Sequence, residues 1–154
     1  MKRLRACITL SLGVLLLGRS GFNLADEPTS FVLTTKEIGF PAIDTTITFT
    51  RTAEHTYRVR YSNPPPSPDH MMLYTGFFFC AARKLGLDSG FDRFALIPDP
   101  GSAQGDSTQG GITVFLQPGE EASKILEPRF ASGTFTSIDL VGRNCPAQSD
   151  PAKR

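Results

Sequence analysis

The chain has 154 residues, with 16 Lys and Arg against 15 Asp and Glu and a formal net charge of +1. That length suits one domain rather than two, and 40% apolar with 20% charged residues are globular proportions. No basic run occurs in the body of the chain, which argues against a nucleic-acid-binding surface, and no period of 20 to 50 residues marks a repeat architecture.

Residues 1–5 (MKRLR) are a short basic segment and 6–18 (ACITLSLGVLLLG) an apolar run. A membrane-spanning helix needs about 20 apolar residues, so the pair reads as an export signal over residues 1–20. Gly18 and Ser20 offer small residues at −3 and −1, which places cleavage after Ser20, with Ala25 as second choice. Leu16-Leu17-Gly18 is followed by Arg19 rather than by the cysteine of a lipoprotein signal, so no stable membrane anchor is expected after cleavage. Losing Lys2, Arg3, Arg5 and Arg19 leaves 12 cations against 15 acids, a net charge of −3. Cys7 leaves too, and the remaining Cys80 and Cys145 read as one disulfide in an oxidising compartment.

Residues 21–44 read as a partly ordered lead-in, with a short edge strand at FVLTT (31–35) and a break at GFP (39–41). TTITFTR (45–51) and TYRVRYS (56–62) alternate apolar and polar residues and read as a hairpin around a four-residue loop, TAEH (52–55). One face of the hairpin is apolar; the other carries Arg58 and Arg60 or Arg51. Asn63–Pro68 (NPPPSP) stops the second strand. Ser67 is placed to cap a helix, Pro68 suits its first position and Asp69 its positive end. Arg83 and Lys84 suit the last turn and Gly86 the left-handed cap, so the spacing predicts a helix over 68–85.

That helix contains GFFFCAARKLG (76–86). Successive helical residues turn by about 100°, so Phe77, Phe78 and Phe79 spread over about 200° and cannot form one stripe. A helix buried on more than one side follows, and it needs cover beyond a sheet, from 31–43 or from a C-terminal segment held through Cys80. Phe94–Ile97 reads as a strand buried on both faces. Strand, helix and strand then predict a βαβ unit with parallel strands. Asp99–Gly111 reads as a long loop, 112–117 as a strand, 120–127 as one or two helical turns, and 134–141 as a last strand or a short helix. Residues 144–154 are expected as a disordered tail. The fold class is α/β (α+β): a small mixed sheet under one main helix, in a domain spanning 45–143.

YRVRY (57–61), CAARKLG (80–86) and GFDRFALI (90–97) together resemble a family of small proteobacterial envelope lipoproteins of unknown function, over about forty residues. The resemblance implies an envelope location and a small α/β fold, and it carries over no catalytic residue. The chain departs from that family at Arg19, where the lipidated cysteine would stand.

Few residues here suit chemistry. Cys80, among aromatic residues and alanines in a helix, has the setting of a buried cysteine and not of an activated thiolate. His55 and His70 are the only histidines; no H-x-x-x-H or C-x-x-C spacing suggests a metal site, and adjacent helical residues such as Asp69 and His70 do not converge. The glycines 101, 105, 110 and 111 match no phosphate-binding pattern. NPPPSP suits a rigid connector better than a polyproline ligand. The expectation is an exported, non-catalytic envelope protein that binds or scaffolds an envelope protein or a small ligand, with no cofactor and no nucleic acid. The alternative is a small exported hydrolase using His55 or His70 with an aspartate. Ligands gather at the carboxyl ends of strands in open α/β sheets, which nominates Ser67, Asp69, Asp99 and Gly101 as a binding edge.

Overall fold

In the computed structural model, residues 29–99, 109–131 and 133–146 are described. The expected export segment 1–20, Gly101 with the rest of 100–108, and 147–154 of the expected tail lie outside them.

The chain order is β1 (Ser30–Thr34), α1 (Thr35–Ile38), β2 (Thr46–Ala53), β3 (Thr56–Tyr61), a 3-10 turn (Pro68–His70), α2 (Met71–Ser89), β4 (Arg93–Ile97), β5 (Gln109–Leu116), α3 (Ala122–Ile125), α4 (Pro128–Ala131), β6 (Thr136–Ser137) and α5 (Ile138–Gly142). The six strands form one sheet in the order β1-β2-β3-β5-β4-β6. The α/β class stands, with one refinement. Every neighbouring pair is antiparallel, so the sheet is not mixed. β3 and β4 do run in the same direction across α2, since both oppose β5, but β5 lies between them. The reason is burial. Ile112 to Leu116 are all buried, Thr113 included, and a strand apolar on both faces belongs at the centre of a covered sheet.

The hairpin of β2 and β3 follows its alternation. Ile47, Phe49, Tyr57 and Val59 are buried on the inner face, while Arg58 and Arg60 leave the outer one. Its turn is tighter than four residues, because Thr52 and Ala53 stay in β2 and only Glu54 and His55 turn the chain. The lead-in is structural: β1 pairs with β2 as the sheet edge. Thr34 then caps α1, taking the Glu37 N–H while the Glu37 carboxylate accepts the Thr34 N–H.

α2 lies on the inner face, and its three phenylalanines fan out over the sheet and the lead-in. Phe78 reaches the sheet, with ring centroids 6.3 Å from Phe49 and 6.2 Å from Phe94. Phe77 meets Phe40 of the lead-in at 6.0 Å. Phe79 turns to the Phe94 side at 5.8 Å. Both expected covers are present, since the lead-in packs on one flank and α5 on the other.

The C-terminal end differs from expectation. α2 continues to Ser89, and Gly90 (φ +78°) takes the left-handed cap. Gly86 is instead an inlet for Ile138, whose side chain a Cβ at position 86 would strike. That close approach explains why 134–141 is not one strand. Thr136–Ser137 pairs briefly with β4, Ile138 donates its N–H to the Asp92 carbonyl, and the chain then coils into α5. A disulfide joins Cys80 of α2 to Cys145 just beyond α5, across 65 residues of sequence. On the outer face a smaller cluster of Ala95, Ile112, Val114 and Phe130 is packed by Leu126 and Phe135. Only the β4–β5 half of the sheet is therefore apolar on both sides.

Phe78→Ala should destabilise the domain by about 3–5 kcal/mol in urea unfolding, as large-to-small core changes do; an unchanged midpoint would contradict this seating of α2. Oxidatively folded protein, denatured without reductant, should show no thiol from Cys80 or Cys145 on alkylation. Losing the bridge should cost about 4 kcal/mol for a loop of this length.

Candidate functional site

The link from β3 to α2 consists largely of residues that cannot join a sheet. Prolines lack the N–H that a ladder needs, so Pro64–Pro66 leave the sheet beyond the end of β3 and cross to the start of α2. The crossing leaves a groove of about 620 Å³ between link, helix and sheet. Pro65, Pro66, Ser67 and Pro68 form one wall. Met71, Tyr74, Thr75 and Phe78 form the second, and their spacing of three and four residues puts them on one helical face. Tyr61, Leu96 and Gly110 form the sheet side, at the carboxyl ends of β3 and β4 and the start of β5.

Local sequence explains the shape. Gly110 is the extra residue of a bulge, since Val59 pairs with Gly111 and Arg60 with Gln109. A Cβ at Gly110 would stand 2.7 Å from Val59 Cγ1 and 3.2 Å from the Tyr61 ring, so glycine lets that ring lie close over the strand. Tyr61 also meets Tyr74 edge to face at 5.4 Å. Met71 and Leu96 are about half exposed and form an apolar rim.

The described lining contains no charged side chain. Its polar groups are few and mostly engaged. Tyr74 donates its hydroxyl to the Pro64 carbonyl at 3.3 Å, and Thr75 donates to the Met71 carbonyl at 2.8 Å. Ser67 Oγ lies 2.8 Å from His70 Nδ1. Burial, with a smaller push from Tyr74, holds the Tyr61 phenol far above its ordinary pKa, so it keeps its proton.

Of the four residues nominated as a binding edge, Ser67 lines the groove. It does not cap the helix through its side chain as expected; its hydroxyl shares a hydrogen bond with the His70 ring instead. Asp69 is exposed on the 3-10 turn and does not line the groove. Asp99 is buried, with Oδ2 3.0 Å from Arg58 Nε. Arg58 leaves the outer face of β3, so this ion pair draws Asp99 to the side away from the groove. Gly101 lies outside the described residues.

The two histidines are not brought together. His55 sits in the β2–β3 turn, buried against Phe91, with Nδ1 3.7 Å from Glu120 Oε2 and that nitrogen without a hydrogen bond. His70 belongs to the far end of the molecule, beyond the length of β3, a distance of about 17 Å at the usual rise per strand residue. His70 borders a second hollow of about 290 Å³ that also includes Asp44 and Asn63. Cys80 carries no free thiol, being bridged. Among the described residues no group of three or more His, Cys, Asp or Glu is placed to hold a metal ion.

Tyr61, Tyr74, Met71 and Leu96 were not singled out by sequence as site residues. The 71/74/75/78 spacing was visible, but Leu96 and Gly110 join it only through the strand order. No family model matches the chain, and no curated protein or solved structure matches it either.

Proposed function

We propose that the chain is an exported binding protein of the cell envelope, and that its ligand site is the groove between the proline link, α2 and the ends of β3 and β4. The groove itself carries the reading. Its volume falls within the usual range for small-molecule sites, and such sites are mostly apolar with a few placed polar groups. Export is supported by the basic and apolar pattern of residues 1–18 and by the Cys80–Cys145 bridge, which persists in oxidising compartments. Among the described residues no helix is long and apolar enough to cross a membrane.

The alternative, a hydrolase using His70, is favoured by one observation, the 2.8 Å approach of Ser67 to His70 at the groove wall. A fluorophosphonate probe separates the two readings: a binding protein leaves Ser67 unmodified, whereas a Ser–His nucleophile is labelled and loses the label in His70→Ala.

N-phenyl-1-naphthylamine, a neutral probe that fluoresces in apolar sites, should bind saturably at one site per chain. Leu96→Glu places a charge on the half-exposed rim and should weaken this binding about tenfold while leaving the melting temperature within a few degrees. Absence of saturable binding, or binding indifferent to Leu96→Glu, would remove the groove as the site.

A further inference from the structure

We infer that the groove selects a neutral, largely apolar ligand carrying one oxygen that accepts a hydrogen bond, and that Tyr61 is the residue that reads that oxygen. The inference rests on the groove being the ligand site. Its own ground is how the polar groups of the lining are used. Ser67 is held by His70, Thr75 by the Met71 carbonyl and Tyr74 by the Pro64 carbonyl. Among the described residues that line the groove, Tyr61 alone has a side-chain hydroxyl with no hydrogen-bond partner in the protein.

Tyr61 is also well placed to discriminate. Its ring is fixed from two sides, by Tyr74 and by the backbone at Gly110, so the hydroxyl is presented at little further cost in side-chain freedom. The phenol is neutral near pH 7 in any case, and a neutral phenol offers an O–H to a carbonyl, ether or alcohol oxygen. A ligand of the same shape without that oxygen leaves the O–H unpaired against an apolar surface, which is the arrangement by which sites reject such analogues. An anionic ligand is disfavoured for a separate reason. Among the described residues no Lys, Arg or His side chain lines the groove, Arg58 and Arg60 leave the opposite face of β3, and a buried carboxylate needs a charged partner.

Three probes of nearly one shape test this: 2-acetylnaphthalene, 2-ethylnaphthalene and 2-naphthoate, each displacing N-phenyl-1-naphthylamine from the full chain. The ketone should bind about five- to tenfold tighter than the hydrocarbon, the yield of one neutral hydrogen bond, and at least tenfold tighter than the carboxylate. Tyr61→Phe keeps the ring and should erase the ketone's advantage while leaving 2-ethylnaphthalene unchanged. In the unaltered protein, the bound ketone's carbonyl stretch should move to lower frequency than in hexane, a readout that does not depend on the variant folding. If the naphthylamine and the hydrocarbon bind but the ketone gains nothing, or keeps its gain in Tyr61→Phe, the inference is overturned and the groove stands as a binding site. If none of the probes binds, the groove reading fails and the inference with it.

Discussion

The structure depends on the seating of Phe78 between Phe49 and Phe94. This contact holds α2 on the inner face of the sheet. Burying one phenylalanine contributes about 1.5–3 kcal/mol by area, and edge-to-face and tilted ring pairs add to it. The flanking residues then have fixed directions. Phe77 turns toward Phe40, and Phe79, while still touching Phe94, borders the hollow beside Leu140 and Val141 of α5, so seating Phe78 makes the helix require cover on both flanks. The lead-in supplies one cover. α5 supplies the other, seated by Ile138 at Gly86 and tied down by the Cys80–Cys145 bridge.

The groove follows from the same contact. Phe78 is the last residue of α2, moving toward the helix start, to fill the space above the sheet completely. One and two turns earlier, Tyr74 and Met71 continue the same stripe, but β3 has ended and the prolines carry the chain outward. The floor is then Phe78, Tyr74 closes the core beside it, and Met71 and Leu96 are left half exposed at the rim. The site is thus where a helix and a sheet that pack closely along most of their length diverge, which is why its lining is apolar and its edge half exposed.

Much of this was legible in the sequence where the cause is local. The period-two alternation of 45–51 and 56–62, the helix start at Ser67-Pro68 and the fan of three phenylalanines depend on neighbours a few residues away. The disulfide was legible because only two cysteines remain once an export signal is removed. What escaped depends on distant residues. The insertion of β5 between β3 and β4 reflects competition for the most buried position in the sheet, which no local pattern encodes. Gly86 reads as a helix stop by type, and only the packing of Ile138 shows it to be an inlet. The binding edge was nominated at the carboxyl ends of the strands, where the groove also lies, but of its described residues only Ser67 lines that groove. The rest of the groove is lined by residues such as Tyr61, Met71, Tyr74 and Leu96, brought together by the strand order.

The central claim is that the divergence of α2 from the sheet makes a ligand site, rather than a surface irregularity. An amide-detected NMR titration of the full chain with 2-acetylnaphthalene tests it most directly. The account predicts saturable shifts concentrated at Tyr61, Ser67, Met71, Thr75, Leu96 and Gly110, with the hollow beside Cys80 and Leu140 unaffected. Shifts centred on the hollow beside Cys80 and Leu140, or spread weakly over the exposed apolar residues without saturation, would contradict it.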